Sequence, residues 1–192
     1  MFPLPGVFLF PGQLMPLHIF EPRYRQMVED SLDGPGQIVL ATVRESDRPG
    51  LSGNPPIVPI AGLGEIARHE RLDDGRFLVW LAGVARVRVD EVESERLYRR
   101  ASVERLVDAP ASVADETRLR PELTAAISSR TGHDFEAETE TELPLGALAD
   151  VLAQCLAIPE QVMIGLHGET DVAERARKAL AAHGRFPSRR RD

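Results

Sequence analysis

The strongest constraint on the fold is a change of period at Asp108-Ala109-Pro110. Before it, short runs of Val, Ile, Leu and Phe are cut by Pro and Gly, the texture of strands joined by tight turns. After it, apolar residues recur at steps of three and four, the spacing of one helix face. The two patterns are segregated rather than alternating, which describes an α+β chain. The expected architecture is a β pseudo-barrel of six or seven strands with one early helix over residues 1–109, then a helical bundle over 110–192.

In the first half, Val7–Phe10 reads as a strand ended by Pro11-Gly12, which fit the two central positions of a type II turn. Leu14–Ile19 is a second run, with Pro16 placed where no ladder hydrogen bond is required. Pro22 suits the first position of a helix that carries Tyr24, Met27, Val28 and Leu32 on one face and ends at Gly34-Pro35-Gly36. Ile38–Val43 reads as a strand buried on both faces, and the Pro- and Gly-rich stretch from Arg44 to Pro56 as a mobile loop. Ile57–Leu72 and Phe77–Leu81 flank Asp73-Asp74-Gly75-Arg76, where the Asp-Gly pair is a strong hairpin signal because both residues tolerate positive φ. Gly83 breaks the next stretch. Beyond it Val87 and Val89 alternate with Arg86, Arg88 and Asp90, as in a half-exposed strand, and Tyr98–Val107 is the last strand. Strands this short and closely spaced fit a closed or nearly closed barrel, which leaves little free edge.

In the second half, helical character between Ser112 and Arg130 must restart or kink at Pro121. Leu145, Leu148, Ala149, Leu152, Cys155 and Leu156 form a helix stripe that Ile158-Pro159 ends. Pro159 opens another helix with Val162, Met163 and Leu166 inward. Thr170 or Asp171 caps a final one through Ala173, Ala176, Ala179 and Leu180, closed by Gly184.

Charge narrows the function. The net charge of −7 is spread over both halves, and 22 of the 23 basic side chains are arginines. Phosphate backbones demand clustered positive charge, so nucleic acid is disfavoured; Arg189, Arg190 and Arg191 read as a solvated tail. The single Cys155 makes no internal disulfide. No apolar run approaches the roughly 20 residues of a membrane span, and Met1–Phe10 lacks the basic start of a signal peptide. A cytoplasmic location, with no membrane partner, is expected.

Three blocks at the amino end carry a resemblance: Phe2-Pro3-Leu4-Pro5-Gly6, Leu9-Phe10-Pro11-Gly12, and Pro16-Leu17-His18-Ile19-Phe20-Glu21-Pro22-Arg23-Tyr24-Arg25. With Gly62-Leu63-Gly64-Glu65-Ile66-Ala67, Asp74-Gly75-Arg76 and Leu81–Val89, they resemble the Lon protease N-terminal domain. Leu143–Asp150 is similar to its helical part more loosely. The resemblance implies a PUA-like pseudo-barrel with a trailing helical bundle, in a stand-alone form without the ATPase and peptidase domains. It implies recognition of unfolded or degron-bearing polypeptides, with no catalysis and no cofactor. A P-loop needs a lysine behind a glycine loop, and Lys178, the only lysine, follows none. The Ser-Lys peptidase pair of the family has no matching motif around Lys178 either.

Other polar residues read as architecture. His18 reads as a hydrogen-bonded strand histidine, and Glu21 as favouring the positive end of the helix beside it or pairing with Arg23 or Arg25. His69, His133, His167, His183 and Cys155 show no ligand spacing for zinc. Glu136, Glu138, Glu140 and Glu142 read as a solvated linker, and Ser52, Ser102, Ser128 and Ser129 lack a nucleophile elbow. The candidate partner-binding residues are Phe8, Phe10, His18, Phe20, Arg23, Arg25 and Trp80. Aromatic side chains facing out along a groove would suit unfolded segments. Expected partners are unfolded or misfolded polypeptides and a separate protease; an RNA-binding PUA-like domain is the alternative.

Overall fold

A sixteen-residue strand organises the amino-terminal part of the chain. The computed structural model describes residues 1–44, 54–133, 135 and 143–186. Among them the chain divides into two units, Met1–Leu106 and Val107–Asp192. The first unit holds β1 (Phe2–Pro5), β2 (Leu14–Ile19), α1 (Pro22–Leu32), β3 (Gln37–Val43), β4 (Ile60–Arg71), the long β5 (Phe77–Val92) and β6 (Arg100–Arg105). Together they form one six-stranded mixed sheet in the order β1-β3-β4-β5-β2, with β6 also on β5. β1 runs parallel to β3 and every other pairing is antiparallel. β5 is long enough to hold β2 beside Phe77–Ala82 and β6 beside Val87–Val92. Among the described residues the ladder does not close into a barrel, because β1 and β2 are the free ends of its path.

Two apolar clusters hold this sheet. Phe2, Leu9, Ile19, Tyr24, Met27, Ile38, Leu40, Phe77 and Leu81 pack together and include the buried stripe of α1. Val39, Ala41, Ala61, Val87 and Val89 form the second cluster. β3 supplies alternate residues to both, so its continuous apolar run is the two-faced burial its sequence predicts. Leu32, at the end of the α1 stripe, is exposed instead.

Several local expectations change. Val7–Phe10 is not a strand; the first strand is Phe2–Pro5. The Leu9-Phe10 segment instead crosses the sheet over two glycines. A Cβ on Gly62 would lie 2.3 Å from the Leu9 carbonyl oxygen, and one on Gly83 would lie 2.1 Å from that of Phe10. Gly83 therefore admits a backbone crossing and does not break β5; opposite it, the β4–β5 register shifts between Leu63 and Gly64 of β4. The turn that follows the crossing is as predicted: Gly12 has φ 80°, and the Gln13 N–H donates to the Phe10 carbonyl at 3.1 Å. The β4–β5 hairpin also forms as predicted. Only Gly75 takes positive φ. Its N–H donates to the Leu72 carbonyl at 2.8 Å, and the Leu72 N–H donates to that of Arg76, a three-residue loop ending in a glycine bulge. Arg86 is buried rather than half-exposed, its guanidinium over the Phe10 ring.

The second unit comprises α2 (Val113–Thr131), α3 (Leu145–Gln154), α4 (Glu160–His167) and α5 (Val172–Arg185). Ser112 caps α2 by accepting from the Asp115 N–H, and Asp171 caps α5 by accepting from Glu174. Pro121 does not restart α2, which runs through it with the proline exposed. Likewise α5 continues past Gly184 to Arg185. Leu145, Leu148, Ala149 and Leu152 are buried as their spacing predicts; Cys155, Val162, Met163 and Leu180 are half-buried. The Ala109 N–H donates to the Thr170 carbonyl at 2.8 Å and its own carbonyl accepts from the Val172 N–H, which ties this residue to the start of α5. The Arg44–Pro56 stretch beyond its ends, the acidic run Glu136–Glu142 and the Arg189–Arg191 tail lie outside the described residues. Among the described residues no helix is long and apolar enough to cross a membrane.

Candidate functional site

Period-two alternation in β2 and β5 gives each strand one face in the core and one face out. In β5, Phe77, Val79 and Leu81 are buried while Leu78, Trp80 and Ala82 are not. In β2, Met15, Leu17 and Ile19 pack inward while Leu14, Pro16 and His18 are exposed. The register sets these outward residues in rows that continue onto β4. Leu14 faces Ala82 and then Glu65; Pro16 faces Trp80 and then Arg68; His18 faces Leu78 and then Glu70. The result is an apolar field two strands wide, bounded on one side by charges of β4 and on the other by the edge of β2, which has no partner strand among the described residues. Leu14 is 56% exposed, and Phe20, just beyond the strand, 60%. Single apolar side chains this open are ordinary, as Leu97 and Val113 show, and become informative only when they share a face.

The polar surround is largely self-satisfied. The Arg68 guanidinium stacks over the Trp80 ring, 4.8 Å from its centroid. Phe20 lies edge-near to His18, with ring centroids 5.9 Å apart. Arg76 Nη1 lies 3.2 Å from His18 Nε2, and Arg76 Nε donates to Asp74 at 2.7 Å. The Asp74 carboxyl sits below the usual carboxylate range, first because the Arg76 backbone N–H donates to it and then because of the Arg76 guanidinium. Arg25 lies against the hairpin turn, where a Cβ on Gly75 would meet its Nη2 at 2.3 Å.

Of the residues singled out from sequence, His18, Phe20 and Trp80 fall on or beside this face. Arg25 reaches the adjoining hairpin. Arg23 pairs with Glu21 at 2.9 Å and stacks on Tyr24, an architectural use that the sequence reading allowed. Phe10, at 2% exposure, is core and offers nothing to a partner; Phe8 is half-buried on the crossing segment. The sequence reading missed Leu14, Pro16 and Leu78. Residue type gives them no signal, because both faces of Leu14–Ile19 and Phe77–Leu81 are largely apolar and only the strand register says which face is outward.

The chain thus combines a mixed sheet that presents an apolar face with a separate helical unit. The same architecture is found in solved Lon N-terminal domains. A Lon N-terminal domain protein from Xanthomonas campestris superposes with a TM-score of 0.65 at 19% identity, covering 93% of this chain and 95% of that one. The N-terminal domain of Mycobacterium avium complex Lon protease gives a TM-score of 0.69 at 15% identity, covering 95% of each. In sequence, residues 1–182 match the ATP-dependent protease La (LON) substrate-binding domain, and the chain belongs to that family. It is 23% identical over 186 residues to a Lon protease of Desulforamulus reducens, covering 93% of this chain and 23% of that protein. A Lon protease of Desulfosudis oleivorans is 22% identical over 160 residues, covering 80% of this chain and 20% of the relative.

Proposed function

We propose that this chain is a non-catalytic module that binds apolar segments of unfolded or degron-bearing polypeptides through the outward face of β2 and β5. The observation that carries the reading is the shared exposure of Leu14 and Phe20 beside Pro16, Leu78 and Trp80. Burying such side chains against a partner returns about 25 cal/mol per Å² of apolar area removed from water. The family's description as a substrate-binding domain supports the same reading, and with it delivery of bound chains to a Lon-type protease. The arginines lend RNA binding no support: Arg23, Arg76 and Arg99 pair with carboxylates, and Arg68 and Arg71 stack on rings.

Trp80 is the chain's single tryptophan and lies in the middle of the face, so its fluorescence reports occupancy. A reduced, carboxymethylated polypeptide titrated into the protein should change that fluorescence saturably. Leu14→Ser with Phe20→Ser should weaken the binding at least tenfold. Absence of saturable binding to the unaltered protein would refute the proposal.

A further inference from the structure

The free edge of β2 invites a second chain to add as a strand, and the backbone shows why it is poorly built for that. Each residue of an antiparallel strand sends its N–H and C=O to the same side, and successive residues alternate sides. The Gly83 N–H donates to the Gln13 carbonyl at 2.8 Å, which fixes Gln13 as a residue bonded towards β5. Counting on by twos, Met15, Leu17 and Ile19 also bond to β5. The other flank of β5 agrees: the Leu72 N–H donates to the Arg76 carbonyl, so Leu78 and Trp80 bond to β4 and leave Phe77, Val79 and Leu81 for β2. Leu14, Pro16 and His18 therefore turn their backbone groups to the free edge. Pro16, the middle one, has no N–H. An added strand would find two donors separated by a gap where the central one should be, a common protection of natural edges.

The same three residues, Leu14, Pro16 and His18, direct their side chains to the exposed apolar face. We infer that this face takes extended apolar segments of other polypeptides by their side chains alone, without a backbone ladder, so that segments containing proline or running in either direction are accepted. The inference rests on the polypeptide-binding reading above and specifies its ligand class. Three observations on the face support that occupant: rows repeating at the strand period, an apolar width of two strands, and a lateral limit in the Glu65, Arg68 and Glu70 column of β4. Recognition of this kind suits unfolded chains, whose sequence and direction at the site are arbitrary, and it leaves the edge closed to self-pairing.

The test uses the full chain and a labelled nine-residue peptide of alternating Ser and Leu or Phe. Two analogues carry backbone N-methyl groups, one at the apolar positions and one at the serines, so that each peptide edge is blocked in turn. All three should bind within about threefold of one another. A tenfold or greater loss for either analogue, with the parent still bound, would show that a ladder forms and would overturn the inference. Failure of the parent to bind would instead refute the polypeptide-binding reading itself. Pro16→Val restores the missing donor, and this variant should bind the parent at least fivefold more tightly than the analogue blocked on the paired edge. A Pro16→Val protein that binds all three alike would also overturn the inference, because Pro16 would then not be what excludes the backbone.

Discussion

Both units break the usual partition of side chains, since Arg86 is buried in the β unit and Val113 is exposed in the helical unit, but their most consequential departures differ in kind. The β unit leaves Leu14 and Phe20 in solvent, while the helical unit buries a guanidinium: Arg175 is 1% exposed. Arg175 Nη1 and Nη2 donate to the two oxygens of Asp108 at 3.0 and 2.5 Å, Nη1 also donates to the Glu169 carbonyl, and Nε lies 3.1 Å from Asp150 Oδ1. Asp150 is itself buried, and Gly146 leaves the room that Arg175 occupies. A buried charge with this many partners is held in place by them, and removing one member strands the rest. An exposed apolar side chain such as Phe20, which touches the His18 ring, constrains little around it. The first deviation serves the fold and the second is free to serve a partner.

The largest effect follows from that contrast. Arg175→Ala removes the buried guanidinium that Asp108 and Asp150 share and should destabilise the helical unit by about 3–5 kcal/mol. Arg175→Met combined with Asp150→Leu should recover most of the loss, since an apolar pair of similar volume removes both desolvated charges. In denaturant titrations the far-ultraviolet helical signal follows this unit and Trp80 fluorescence follows the other. A loss below about 1 kcal/mol for Arg175→Ala would show that the ion cluster is incidental to the fold.

Arg175 also marks where reading the sequence stopped. Val172, Ala176 and Ala179 have the spacing of a buried helix face, and Arg175 sits on it, three residues after Val172 and four before Ala179. The anomaly was visible, but its partners were not: Asp150 is on α3 and Asp108 precedes α2, and no local rule joins them. The same limit appears in the β unit. The Pro11-Gly12 turn, the Asp74-Gly75 hairpin and the α1 stripe were legible because each is decided within a few residues. Gly83 was misread as a strand break because its reason, the Phe10 carbonyl crossing above it, comes from a segment far away in sequence. Half of the candidate face was legible for a related reason. Aromatic residues announce themselves by type, whereas Leu14 and Leu78 become outward only when the register with the neighbouring strand is known.

A smaller effect should appear with acid. Arg130 Nε donates to His183 Nδ1 at 2.9 Å, and Arg130 Nη2 donates to the His183 and Phe186 carbonyls at the end of α5. The ring nitrogen must be unprotonated to accept. Burial first, and the Arg130 charge second, hold the His183 pKa below its ordinary value of 6.5. The unfolded chain therefore takes up this proton before the folded one. The contribution to stability is fully present above about pH 6.5 and is lost as the pH falls from there towards the native pKa. His183→Asn keeps an acceptor near the Nδ1 position and cannot titrate. Its helical unit should lose less stability than the unaltered chain on acidification below about pH 6.5, as followed by the helical signal. Parallel pH curves for the two proteins would rule the clamp out.

The smallest expected effect tests the other side of the contrast. Leu14→Ser and Phe20→Ser, made singly, should each change the stability of the β unit by no more than about 0.5 kcal/mol, read by Trp80 fluorescence in urea. Neither side chain belongs to the apolar clusters that hold the sheet, so little packing is lost on substitution beyond the Phe20 contact with His18. Set beside the same residues' effect on polypeptide binding, this separates two reasons for an apolar residue to sit in solvent. A side chain that matters to folding shows it in the urea midpoint, and one kept for a partner shows it only when the partner is present. A loss above about 1 kcal/mol for either variant would mean that it packs against the protein's own surface, and the face would then be part of the fold rather than open to another chain.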